Sequence, residues 1–209
     1  MTRSRNGPRP LRRTAWPTAL AAALLLGACS QPPVPKDSFY RLQTGAPQRQ
    51  FAEPALPGIV EVSRFTADGV INERALAYME SGGKLQQYSY HYWAESPTQL
   101  VQDALVQALR ESGAAMRAVT PAMRLRPHYL MQGKLHRFEQ VIEGDSARVV
   151  AALEVSLTQA RDGNLILLET YRVERPARDD SVGAAVDALR DAVGDLAARL
   201  LDDLAALLG

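Results

Sequence analysis

From Ala147 to Leu157 every second residue is apolar: Ala147, Val149, Ala151, Leu153, Val155 and Leu157 alternate, with Arg148, Glu154 and Ser156 among the intervening positions. Successive side chains of an extended chain point to opposite faces, so this spacing predicts a half-buried strand. Arg161-Asp162-Gly163-Asn164 has turn composition, and Leu165 to Val173 reads as the returning strand of a hairpin that Pro176 ends. The chain is therefore committed to a sheet, and its other elements are read as what joins or covers that sheet.

Two segments have helical spacing instead. Ser96-Pro97-Thr98-Gln99 predicts a helix start, with serine capping free N–H groups, proline at the first position and glutamine reaching back. Leu100, Val101, Ala104, Leu105, Ala108 and Leu109 then line one face, and Gly113 supplies the stop. Asp179-Asp180-Ser181 opens a last helix with negative charge at its positive end, and Val182, Val186, Leu189, Val193, Leu196, Leu200, Leu204 and Leu207 form its stripe. An amphipathic helix packed on the sheet accounts for that stripe. A coiled-coil seam is the sharper alternative, and a membrane-surface helix fits poorly because the polar face is acidic.

The remaining strands are predicted at Ser38 to Leu42, Ile59 to Phe65, Ala75 to Met79, Leu85 to Tyr90 and Tyr129 to Phe138, with Ser81-Gly82-Gly83-Lys84 as a hairpin turn. The order of elements gives a single α+β domain, helices on a largely antiparallel sheet, over residues 37–209.

Residues 1–28 read differently. Arg3, Arg5, Arg9, Arg12 and Arg13 precede an apolar run from Ala19 to Leu26, with no acidic residue before Asp37. Positive flank, short apolar segment and small residues make a secretory signal, and the run is too short to cross a bilayer of ~30 Å. Leu26-Gly27-Ala28-Cys29 resembles the bacterial lipobox, in which the chain is cut between Ala28 and Cys29 and the cysteine carries acyl chains. Cys29 is the sole cysteine, so no disulfide forms within the chain. Two or more acyl chains give stable membrane attachment where one is marginal. Ser30 in the next position implies, by the enteric sorting rule, transfer to the outer membrane. Pro32, Pro33 and Pro35 make residues 29–36 a stiff lipidated tether. Loss of the five leading arginines takes the formal charge from +1 to −4, which argues against a nucleic-acid partner.

No phosphate loop, dinucleotide fingerprint or His-Glu-x-x-His occurs, and His91, His128 and His136 are scattered, so neither a catalytic residue, a cofactor nor a metal is expected. Gly144-Asp145-Ser146 has the letters of an esterase nucleophile block but no later histidine, and reads as a turn. Tyr88, Tyr90, Tyr92 and Trp93 are a local concentration of aromatics. In a regular strand the three tyrosines share one face, which either packs the sheet or grips a partner or acyl chain. Tyr90, Tyr92 and Trp93, with the acidic Asp202 and Asp203 of the last helix, are the candidate partner-binding residues.

Arg64-Phe65-Thr66-Ala67-Asp68-Gly69, the run from Leu85 to Pro97 with its Tyr-x-Tyr-x-x-Trp-Ala-x-x-Pro core, Phe39-Tyr40-Arg41-Leu42 and the leucine-rich last helix together resemble the ABC-type transport auxiliary lipoprotein family. The resemblance implies a non-enzymatic part of an intermembrane lipid transporter, docking a mammalian-cell-entry (MCE) domain protein that crosses the periplasm. It departs where several members carry a proline-flanked Tyr-Leu and this chain has Phe65 to Gly69, which leaves the transporter subgroup and the lipid open. Self-association also stays open. An assembly partner of a barrel protein and a lipid-anchored hydrolase are the alternatives.

Overall fold

The computed structural model describes residues 35–80 and 82–208. Its spine is a strand of fifteen residues, β7 (Tyr129–Glu143). Along one edge of β7 runs β8 (Ser146–Gln159), antiparallel from Glu143↔Ser146 to Tyr129↔Gln159, and β9 (Leu165–Pro176) pairs with β8 in the same sense. The opposite edge is shared end to end by three short parallel strands: β2 (Leu56–Val62) at Val60↔Tyr129, β3 (Thr66–Ala67) at Thr66↔Lys134 and β4 (Ala75–Met79) at Ala77↔Glu139. Outside these lie β6 (Ala115–Val119) on β2, and β5 (Leu85–Trp93) on β4 with β1 (Ser38–Tyr40) on β5. The long ladders are antiparallel and the short pairings mostly parallel, giving a curled mixed sheet in an α+β domain.

Helix α1 (Pro97–Glu111) buries Leu100, Val101, Ala104, Leu105, Ala108 and Leu109, the stripe its spacing predicts, and Gly113 follows it at φ +74°. Helix α2 (Val182–Ala206) buries Val186, Leu189, Val193, Leu196, Leu200 and Leu204. The stripe is spent on the core it shares with β7, β8 and β9, so the packed-helix reading holds; Leu207 lies past the helix end and is 45 % exposed. Burial of these aliphatic side chains is worth about 1.5–3 kcal/mol each before chain entropy is charged against it.

Four expectations are corrected. The second strand is Leu56–Val62 rather than Ile59 to Phe65. The register on β6 shifts between Leu56 and Ile59, so Pro57 sits in a bulge, where a proline is tolerated in a sheet. Ser63 still donates to the Met131 carbonyl at 2.8 Å; the chain then detaches until β3, and the Phe65 ring comes to rest over the backbone of Gly133. The 147–157 strand is buried on both faces at its centre, Val150 and Ala152 being 0 % and 4 % exposed. In register beside them stand Glu139, Arg137, Glu174 and Arg172, whose charged ends pair with one another along the strands. Ser96 does hold the N-cap position, but its side chain makes no cap bond. Its Oγ accepts from the Arg64 guanidinium at 2.9 Å and contacts Thr98 at 3.2 Å, while Gln99 donates forward to Asp103. A charged donor outbids a backbone amide for the same oxygen. Finally, β6 is a strand that its Ala-Met-Arg-Ala-Val sequence did not advertise.

Candidate docking surfaces

The aromatic run of β5 does not form one face. Between Ala77↔Gln87 and Ala75↔Tyr92, β4 advances two residues and β5 five, so three extra residues bulge out. Tyr90 sits in that bulge at φ +65°. For a bulky side chain this backbone costs on the order of 1–3 kcal/mol and persists only where neighbours impose it.

The bulge sends each ring to a different environment. Tyr88 tilts against Tyr78 at 4.3 Å between centroids and donates to the buried Gln140 at 2.7 Å; desolvation, then the neighbouring Tyr78, pushes its hydroxyl up to about 12. Trp93 is 1 % exposed and packs on Phe138, so it belongs to the core and to no surface. Tyr90 is 40 % exposed, and Tyr92 stacks at 5.7 Å on Phe39, itself 59 % exposed. The Arg74 guanidinium lies 5.6 Å from the Phe39 ring centre and is held there by its Nε–H bond to the Trp93 carbonyl. What the sequence presents as four aromatics resolves into one buried ring, Trp93, the partly buried Tyr88, and the half-buried Tyr92 and exposed Tyr90 near the open Phe39 and Arg74.

The two acidic residues of α2 also part company. Asp202 is exposed and pairs with Arg49 at 2.5 Å. Asp203 is half-buried and accepts from the Tyr171 hydroxyl at 2.7 Å; burial first, and then this bond, pushes the Tyr171 hydroxyl up. Asp203 is part of how α2 seats on β9; only Asp202 offers a charge to a partner.

One surface escaped the sequence reading. β6 pairs with β2 alone and presents its other edge. Met116 on it, and Met123 and Leu125 in the loop that follows, are 62 %, 57 % and 42 % exposed. Arg117, Arg124 and Arg126 accompany them, and none has an ion-pair partner among the described residues. The signal was present in the chain: no acidic residue occurs between Glu111 and Glu139.

The histidines are set in separate contacts. His91 Nδ1 meets the Tyr40 hydroxyl at 2.9 Å, His128 Nδ1 accepts from the Ile59 amide, and His136 faces Glu154 at 3.6 Å. Among the described residues no group of His, Cys, Asp and Glu has the arrangement of a metal site. Gly144-Asp145-Ser146 is a turn, with Gly144 at φ +58° and the Ser146 hydroxyl donating to the Glu143 carbonyl. A cleft of about 400 Å³ opens between the 44–48 loop and α2; in its wall Arg175 forks onto Asp195 at 2.6 and 2.8 Å, so its charges neutralise each other. Ala28 and Cys29 lie outside the described residues.

The fold is shared with solved structures. A Xanthomonas campestris protein, XCC0632 of the DUF330 family, superposes with a TM-score of 0.71 at 21 % identity, over 78 % of this chain and 92 % of that one. An uncharacterized protein superposes at 0.63 with 17 % identity, over 81 % and 99 %. At these identities the likeness speaks for the fold. No curated protein matches this sequence. One family profile does, from Tyr40 at the end of β1 to Leu200 in α2, and the chain belongs to that family: the ABC-type transport auxiliary lipoprotein component.

Proposed function

We propose that this protein is an outer-membrane-anchored periplasmic lipoprotein, a non-enzymatic auxiliary component of an ABC transporter that moves lipid between envelope membranes, and that it docks the MCE-domain protein of that system. The family match over residues 40–200 carries this reading. The signal is cut between Ala28 and Cys29, and Cys29 holds the domain on the membrane through acyl chains. What the domain offers that partner is surface: the Arg-flanked edge of β6 and Asp202 on α2. The unpaired arginines beside Met116, Met123 and Leu125 suit a partner segment that is acidic and partly apolar.

Cross-linking in intact cells, followed by purification of the tagged lipoprotein, tests the reading. An MCE-domain protein and its ABC transporter are the expected products. Recovery of a barrel protein in their place, or no MCE protein at all, would overturn it.

A further inference from the structure

We infer that the Phe39–Tyr90–Tyr92–Arg74 patch lies on the headgroup layer of the bilayer that carries this chain's own acyl anchor, and so sets the orientation of the domain. The inference rests on acylation at Cys29. Chain length then limits where the patch can be: Phe39 is ten residues after Cys29, and at no more than about 3.5 Å per residue the two cannot be more than roughly 35 Å apart. Among the described residues within ten positions of the anchor, Phe39 is the one exposed large apolar side chain.

The chemistry of the patch fits that position. Phe39 presents a bare ring to solvent at the outermost strand of the sheet, and Tyr92 backs it rather than covering it. Phenol rings favour the boundary between headgroups and acyl chains, where one end is apolar and the other wet. Arg74 lies against the Phe39 ring with only its Nε engaged; its two terminal nitrogens have no hydrogen-bond partner among the described residues and are available to a phosphate oxygen. Lys36, Asp37 and Arg41, all exposed, flank β1 and leave it a net positive charge of one.

The test uses the mature acylated lipoprotein in vesicles of phosphatidylethanolamine and phosphatidylglycerol, with Tyr90→Cys carrying a nitroxide and Arg161→Cys as a reference site. Collision with oxygen relative to a water-soluble nickel chelate reports depth. The expected result is a ratio several-fold higher at position 90 than at 161. Phe39→Asp with Arg74→Glu should bring position 90 back to the reference value, with the unfolding midpoint showing that the domain is still folded. Equal ratios at the two sites in the parent protein overturn the inference while leaving the anchor intact. An unmodified Cys29 by mass spectrometry overturns both. Protection of position 90 that appears only on adding an MCE-domain protein assigns the patch to that partner and also overturns it.

Discussion

Gly133→Ala puts the packing argument to a numerical test. A Cβ at position 133 would stand 2.3 Å from the Glu154 carbonyl oxygen and 3.1 Å from the Phe65 ring. Ordinary carbon–oxygen contacts begin near 3.3 Å, so the two strands must part by about 1 Å. Gly133 pairs with Val155 at the centre of the β7–β8 ladder, where such a displacement loosens the neighbouring hydrogen bonds. Overpacking of about 1–3 kcal/mol and ladder bonds at about 0.5–1.5 kcal/mol each put the loss at roughly 2–4 kcal/mol. With a urea dependence of about 2 kcal/mol/M, the denaturation midpoint should fall by roughly 1–2 M. Gly194→Ala is the control: nothing lies within 4 Å of the added carbon in α2, and the same substitution should stabilise by about 0.5–1 kcal/mol. A midpoint for Gly133→Ala within about 0.3 M of the parent's, at unchanged slope, would refute the reasoning.

The serine caps differ, so Ser181→Ala, which removes the bond from Ala184 N–H at 3.2 Å, should cost about 1 kcal/mol, and Ser96→Ala no more than about half of that by the same denaturation curves. Asp202→Lys should leave the midpoint within about 0.5 kcal/mol of the parent, whereas Asp203→Lys leaves the Tyr171 hydroxyl unpaired beside α2 and should cost about 1–3 kcal/mol. Association with the proposed MCE partner is then to be read on Asp202→Lys alone; unchanged binding removes Asp202 from the docking face. Cys29→Ala should appear, folded, in the soluble periplasmic fraction, and continued lipid labelling of that variant would refute the anchor. Tyr88 ionises near 10 when unfolded and about 12 when folded, so its contribution is complete below pH 10 and is lost as pH rises through 12; Tyr88→Phe should flatten stability over that alkaline window.

What could be read from the sequence was what depends on near neighbours. The alternation from Ala147 to Leu157, the spacing of Leu100 to Leu109 and the Gly163 turn all encode their structure within a dozen residues, and each element stands where it was expected. β6 was missed because its partner, β2, lies more than fifty residues earlier, and because its own Ala-Met-Arg-Ala-Val shows no alternation of apolar and polar residues. The reciprocal cap at Ser96 failed for a similar reason, since the competing donor, Arg64, arrives from β2's far end. At the candidate surface, periodicity put Tyr88, Tyr90 and Tyr92 together, but it assumes a regular strand. The bulge follows from β4 being five residues long against nine in β5, a mismatch that no local pattern shows. Exposure of Phe39 and burial of Asp203 likewise depend on the strands they meet.

The three-residue pairing of β1 also has a mechanical side. A pull on the N-terminal tether enters the domain at β1, which is held to β5 by Ser38↔His91, Phe39↔Tyr92 and Tyr40↔Trp93 and by the Ala94 N–H bond to the Tyr40 carbonyl. The next firm hold is Phe51, whose amide bonds the Ser112 carbonyl at 2.9 Å and whose ring packs on the core. Between them the Arg49–Asp202 pair and the partly buried Leu42, Thr44 and Pro47 resist. Peeling β1 would therefore free the chain from Lys36 to Gln50, a contour of roughly 50 Å at about 3.3 Å per residue less the span it already covers in the fold, while β7, β8, β9 and both helices stay intact. In the proposed envelope role, tension on the tether would unzip the first strand as a fuse, lengthening the leash before the body of the protein yields.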